Sequence, residues 1–145
     1  MLSANKVLNG SRFEVVKGKF YEREFDCPTC YTTFLRPEEK RTDVNISVKM
    51  MGDCSLNKVD TLVLVSADSD FVPPLQFIKK YHSDKKIKVY FPPDNFSSDL
   101  YNFMKANKGK VVKLENSKVK FLNSVMPAVV KKDGQTYNIP AEWVI

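Results

Sequence analysis

Two aspartates stand two residues apart just after an apolar segment in the middle of the chain. Leu62 to Val65 suit a buried strand, and Ser66, Asp68 and Asp70 follow them at once. Two carboxylates this close repel each other unless a cation or a proton lies between them. A divalent cation such as Mg²⁺ binds carboxylate oxygens, and it can orient a phosphate or activate a water. The spacing therefore indicates a metal site, and capping of the next helix by Asp70 or Ser69 is the structural alternative.

Asp43 supplies a third carboxylate. Residues 38–54 place apolar side chains at helical spacing, and Asp43 falls in or near the first turn of this amphipathic helix. The apolar positions are Val44, Val48 and Met51, with Ile46 and Met50 beside them. An antiparallel return into the strand at 59–65 would bring Asp43 to face Asp68 and Asp70. A favourable charge on the helix dipole is the alternative role.

The elements that must position these acids alternate along the chain. Helices are expected at 38–54, from Pro73 to Tyr81 and around 97–107, and strands at 59–65, 86–91 and 109–114. Such alternation predicts an α/β fold, a three-layer α/β/α arrangement with a mainly parallel central sheet. The strands at 61–65 and 87–91 look apolar on both faces, which suggests cover by helices on both sides. Ligands bind beyond the carboxyl ends of such strands, where Asp68 and Asp70 stand.

Outside this alternation, residues 13–25 predict a strand or a bent hairpin. Asp133–Gly134 predicts a small C-terminal hairpin. Tyr137 and Trp143 are expected to pack against it, and stacking on nucleic-acid bases is the alternative.

Length and charge limit the class of protein. The 145 residues, 43% of them hydrophobic, predict a single domain over residues 1–145. No apolar run approaches the roughly 20 residues that span a bilayer, and no signal-peptide stretch opens the chain, so we expect a cytoplasmic protein with no membrane partner. The net charge of +6, with lysines crowded in 79–88 and 105–120, favours a polyanionic partner. A solvated basic surface is the alternative.

The three cysteines do not suit a disulfide framework. Cys27 and Cys30 have the spacing of half a zinc knuckle, and a structural zinc site needs four ligands. We expect a reduced, metal-free turn there rather than zinc, within one chain or shared between two. Cys54 is expected in the core, and His82 at the surface near a helix end.

Two of these segments together resemble the NYN (LabA-like) family of PIN-like nucleases. Lys40, Asp43 and Val44 match that family's Lys-x-x-Asp-Val helix. Its Ser-Gly-Asp-x-Asp-Phe motif is matched by Ser66, Asp68, Asp70 and Phe71, with Ala67 at the usual glycine. The likeness covers roughly residues 15–142.

The resemblance implies a PIN-like α/β/α fold and metal-dependent cleavage of RNA phosphodiester bonds. It assigns Asp43, Asp68 and Asp70 to binding Mg²⁺ or Mn²⁺, with a catalytic role, and Ser66 to positioning. RNA is then the expected partner.

The sequence also departs from that family. Family members begin with a strand ending in Asp-Gly-x-Asn, and nothing upstream of Phe13 resembles it. We therefore expect an N-terminally incomplete domain with weak or absent activity, unless a partner chain, as in a homodimer, or the N-terminal segment lends a strand. Lys49 stands where many relatives carry an acid.

Two further functions stay open. The first is a catalytically degenerate RNA-binding or regulatory module, which the departures favour. The second, ranked last, is a phosphatase- or receiver-like domain that uses Asp68 as a covalent acceptor.

Overall fold

The structure, a computed structural model, describes residues 2–141. The helices are α1 (Leu2–Asn9), α2 (Thr42–Ser55), α3 (Val72–Tyr81), α4 (Ser98–Ala106) and α5 (Lys118–Asn123). The strands are β1 (Lys19–Asp26), β2 (Thr33–Lys40), β3 (Thr61–Val65), β4 (Lys86–Phe91), β5 (Lys110–Lys113), β6 (Val129–Lys132) and β7 (Gln135–Asn138). Of the described residues, 17–117 form one compact unit, and 2–16 with 118–141 form the other. Within the described range, every helix is too short or too polar to cross a bilayer.

A parallel sheet is the centre of the larger unit. Its strand order is β3-β4-β5, with both pairs parallel, and α3 and α4 make the two crossovers. The alternation seen in the sequence produces this arrangement, because parallel neighbours need a long connection that a helix supplies. The predicted α/β class is confirmed: helices flank a parallel sheet as in PIN-like folds, and a small antiparallel hairpin lies near the C-terminus.

One face of β3 builds the core. Leu62 and Leu64 are buried in one cluster with side chains from α2, α3 and α4. Val63 and Val65, on the opposite face, keep 50% and 58% of their surface exposed. The prediction that β3 is covered on both faces is therefore wrong, because the three helices share the core on the Leu62 side.

Helix α2 begins later than predicted and buries a different stripe. Residues 38–40 belong to β2, so the helix starts at Thr42. Met50 and Cys54 are buried, whereas Val44 and Val48 are 64% and 58% exposed. Ile46 and Met51 also pack against the core, so of the predicted stripe only the first two residues, Val44 and Val48, are left exposed.

Strands β1 and β2 form a hairpin that the sequence only half predicts. Lys19 pairs with Lys40 at its base and Asp26 with Thr33 near its tip. The predicted strand at 13–25 begins only at Lys19, and the end of its partner falls in the segment predicted to begin a helix. This hairpin leads directly into α2.

The C-terminal hairpin is confirmed. β6 and β7 pair antiparallel around Asp133 and Gly134, whose φ angles are 51° and 76°. Two positive φ angles characterise a type I′ turn, which Asp-Gly favours. Tyr137 lies in β7, and Trp143 is outside the described residues.

Candidate functional site

The chain after β3 is ordered by its own polar side chains. The Ser66 N–H donates to the carbonyl of Tyr90 at 3.2 Å, which continues the pairing with β4. The Ser66 hydroxyl oxygen accepts from the Asp68 N–H at 3.1 Å. The Asp68 carboxylate in turn accepts from the Asp70 N–H at 2.9 Å and caps the 3₁₀ turn Ser69–Phe71. Ser66 and Asp68 thus fix the loop at the carboxyl end of β3.

The alternative role of Asp70 or Ser69, capping of α3, is not found. Helix α3 has no side-chain cap hydrogen bond and starts with Val72 and proline. Proline lacks an N–H, so a first turn built with it has fewer donors to satisfy. Phe71, which is 2% exposed, anchors this junction in the core. Asp70 is exposed and does not have that capping role.

The start of α2 is held by an acid from the preceding strand. The Glu39 carboxylate accepts from the Thr42 N–H at 3.1 Å and from the Thr42 hydroxyl. Arg41, between them, has φ 79° and turns the chain sharply. Gly18 lies so close that a Cβ there would clash with Glu39 Oε1 and Thr42 Oγ1. The hairpin base therefore fixes where α2 begins.

Asp43 lies in the first turn of α2, where burial and then other carboxylates raise the pKa of its side chain. Burial is the first cause that raises the pKa of its carboxyl group, and the negative charges of Asp68, Glu39 and Asp70 raise the pKa further. Its side chain is largely exposed, so solvent screens part of these effects. The negative charges of Asp68 and Asp70 therefore act on the carboxyl group of Asp43. We call Asp43, Asp68, Asp70 and Glu39 the acidic cluster.

An open cleft of about 470 Å³ lies at the carboxyl ends of β3 and β4. Ser66 and Asp68 line it, while Asp43 and Asp70 are outside its lining. Across residues 2–141, no three His, Cys, Asp or Glu side chains are grouped so as to hold a metal ion. The donor chemistry nevertheless suits a hard cation, because the cluster offers carboxylate oxygens. Packing does not fix Asp43 and Asp70, since both are exposed.

Glu39 is the member of the cluster that the sequence prediction misses. The sequence predicts a helix at this position, whereas the structure places Glu39 at the end of β2, where its carboxylate accepts from the Thr42 N–H. The signal available was the Glu-Glu-Lys-Arg-Thr-Asp run, in which acids immediately precede a helix start. Lys40, from the first motif, pairs with Glu38 at 2.5 Å.

Aromatic rings stand next to the cleft. Phe96 follows the cleft residues Pro92 and Asn95 and is 50% exposed. Its ring centroid is 5.4 Å from that of Tyr101, and the Lys113 ammonium lies 4.6 Å from the Phe96 ring. An exposed ring beside a cation can stack a nucleic-acid base while the cation meets a phosphate.

A second, basic cleft of about 290 Å³ lies at the amino ends of β4 and β5. Its lysines are Lys79, Lys85, Lys86, Lys88, Lys108 and Lys110. Lys85 is 4% exposed and is engaged by Asn57 and by Asp84 at 3.0 Å. The basic cleft is therefore at the opposite end of the strands from the acidic cluster.

The other residues singled out in the sequence lie in the core or contact neighbouring side chains. Cys54 is 1% exposed in the core, as expected, and burial raises the pKa of its thiol. His82 ends α3, and its Nε2 lies 3.0 Å from the Ser55 hydroxyl of α2. Lys49 pairs with Asp53 at 3.2 Å along α2.

The chain belongs to the NYN domain family, whose model matches residues 3–106. Membership indicates a nuclease-type function of the PIN-like kind. A segment of 70 residues, 46% of the chain, is 40% identical to the 6-hydroxy-3-succinoylpyridine 3-monooxygenase of Pseudomonas putida. The match covers 22% of that enzyme's length. No solved structure matches the chain.

Proposed function

We propose that this NYN-domain protein is a metal-dependent ribonuclease that hydrolyses RNA phosphodiester bonds at the carboxyl edge of its sheet. The observation that carries the proposal is the position of carboxylates beside the cleft at the carboxyl ends of the strands, where burial and then the charges of Asp68, Glu39 and Asp70 raise the pKa of Asp43. Clustered carboxylates repel one another, and a bound divalent cation relieves that repulsion. Family membership supports the same reaction class.

Asp43, Asp68 and Asp70 would hold Mg²⁺ or Mn²⁺, which supplies a water of lowered pKa and charge compensation for phosphate oxygens. The protein's own side chains do the rest. The Ser66 and Asp68 side chains each accept one backbone N–H bond, and these two bonds hold the turn that carries Asp68 and Asp70. Phe96 and Lys113 would hold one nucleotide beside the cleft by stacking and by charge.

The direct test is cleavage of a labelled single-stranded RNA with Mn²⁺ or Mg²⁺. We expect cleavage that stops with a chelator and falls at least tenfold in Asp43→Asn and Asp70→Asn, which remove charge without removing volume. Asp60→Asn is the matched control, because Asp60 precedes β3 at its other end and is exposed. Cleavage that survives both cluster variants, or that falls equally in Asp60→Asn, would contradict the assignment.

The basic cleft favours a second function, an RNA-binding or regulatory module without chemistry. Its lysines lie at the amino ends of β4 and β5, far from the acidic cluster. They can neutralise phosphates without a bound metal ion. In this case RNA would bind away from the acidic cluster, and binding would survive Asp68→Asn.

Charge reversal at the two ends of β5 separates the two functions. Lys110 lines the basic cleft, whereas Lys113 lies over Phe96 at the acidic end. If RNA is held at the acidic end for cleavage, Lys113→Glu should weaken RNA binding more than Lys110→Glu does. The binding-module function predicts the reverse order. The measurement is the dissociation constant at several salt concentrations, since the salt slope becomes shallower when the protein neutralises fewer phosphates.

A further inference from the structure

The tip of the β1–β2 hairpin holds two thiols on one short turn. The Tyr31 N–H donates to the Cys27 carbonyl at 2.9 Å, and the Cys27 N–H donates to the Thr32 carbonyl at 3.1 Å. Tyr31 has φ 56°, which closes the loop. The first of these bonds closes a helix-like turn, on which residues three apart have Cβ atoms about 5–6 Å apart. Cys27 and Cys30 are therefore neighbours, and both are free thiols.

The surroundings of Cys30 favour its thiolate. Hydrogen bonding from the Thr32 side chain and backbone, and then from Cys27, lowers the pKa of Cys30 to about 7, and burial acts in the opposite direction. The Cys30 side chain is exposed, so a reagent can reach it.

We propose that Cys27 and Cys30 form a reversible thiol–disulfide pair, in which Cys30 is the nucleophile, Cys27 resolves, and the oxidant is a low-molecular-weight disulfide. The geometry carries this assignment, because the bond from the Tyr31 N–H to the Cys27 carbonyl holds both free thiols on one closed turn, three residues apart. The site is independent of the proposed nuclease chemistry, since the tip is a full strand away from Asp43.

The reaction balances in two exchanges. The Cys30 thiolate attacks one sulfur of the small disulfide, forms a mixed disulfide and releases one small thiolate. Cys27, after losing its proton, attacks the Cys30 sulfur and releases the second small thiolate. The net change converts two protein thiols and one small disulfide into one protein disulfide and two small thiols. Excess small thiol reverses it.

The test treats the reduced full-length protein with oxidised glutathione and follows the products by mass spectrometry. We expect the native chain to lose two hydrogen atoms and to form a Cys27–Cys30 bridge. Cys27→Ser should stop at a glutathione adduct on Cys30, and Cys30→Ser should form no bridge. Cys54→Ser should behave as the native chain does, because Cys54 is buried away from the turn.

Two neighbouring threonines provide a matched pair of controls. Thr32→Val removes the side-chain hydroxyl that is the first cause of the lowered pKa of Cys30, whereas Thr33→Val removes a hydroxyl that donates to Asp26 at 2.7 Å. Alkylation of Cys30 at pH 7 should slow about threefold to fivefold in Thr32→Val, because less thiolate is present, and should be unchanged in Thr33→Val.

Three results would overturn the proposal. One is an equal alkylation rate for Cys30 in the two threonine variants. Another is oxidation that joins two chains instead of Cys27 to Cys30 of one chain. The third is zinc, added as its chloride, that binds the pair tightly and protects both thiols from alkylation, which would make the turn a metal knuckle.

Discussion

At the scale of single residues, three aspartates with similar surroundings have different roles. Asp68 caps the turn after β3 and therefore contributes to folding. The negative charge of Asp43 is disfavoured by the negative charges around it. Asp70 does not cap helix α3. Residues selected for stability alone would not gather so many like charges at one edge. This contrast is what distinguishes a candidate site from an ordinary loop.

The opposed charge of Asp43 predicts that its removal stabilises the protein. A carboxyl whose pKa is raised in the folded state binds protons more tightly there, so stability falls as pH rises above the usual aspartate range. Asp43→Asn should remove that fall and gain up to about 0.5 kcal/mol at pH 7, because exposed charges are screened. Urea unfolding at pH 4 and pH 7 measures both effects.

Asp99 is the matched control for that prediction. It also lies in the first turn of a helix, α4. Negative charge is favourable at a helix N-terminus, so Asp99→Asn should lose about 0.3–0.5 kcal/mol. A loss of the same size in Asp43→Asn would show that Asp43 serves the dipole of α2 instead.

At the scale of elements, the cap of α4 is a separable contribution. The Ser97 hydroxyl accepts from the Leu100 N–H at 3.3 Å, and Leu100 and Met104 are buried behind it. Ser97→Ala should cost about 1 kcal/mol of unfolding free energy. Ser98→Ala, one residue inside the helix and exposed, should change it far less. Equal losses in the two variants would show that the cap contributes nothing.

Alanine substitutions at Gly18, beside the start of α2, and at Gly52, within α2, should change the free energy of unfolding in opposite directions. Gly18→Ala places a methyl group against Glu39, Thr42 and the Lys40 carbonyl at 3.2 Å, so we expect a loss of about 1 kcal/mol. Gly52→Ala, inside α2 with open space around it, should gain about 0.5–1 kcal/mol because alanine favours helix. Thermal unfolding ranks the pair, and a gain in Gly18→Ala would contradict the proposed support of α2.

At the scale of the whole molecule, stability depends on the core between the sheet and its helices. Leu75 and Ile78 of α3 are fully buried against β4 and α4. Leu75→Ala should cost about 2–5 kcal/mol through lost burial and the cavity left behind. Gln76→Ala, exposed on the same helix, should be nearly neutral in the same denaturant titration. A neutral Leu75→Ala would mean that this core does not limit stability.

Most of the parallel sheet could be predicted from the sequence, because strand and helix signals alternate between Thr61 and Lys113 with clear stops. The hairpin before it could not. Pro37 and the charged residues around it hide β2, and the pairing of β1 with β2 depends on register instead of apolar pattern. For the same reason Asp43 could be predicted but the hydrogen bond between Glu39 and Thr42 could not, since that bond follows from where β2 ends.

The unpaired edge of β3 and its exposed face have a practical consequence. Within the described residues, β3 pairs along one edge only, and Val63 and Val65 face water. Unpaired edges of this kind are templates for intermolecular strand addition. The net charge of +6 keeps molecules apart in dilute buffer, and added salt screens that repulsion. Concentrated solutions should therefore remain clear at low ionic strength and turn cloudy as salt is raised.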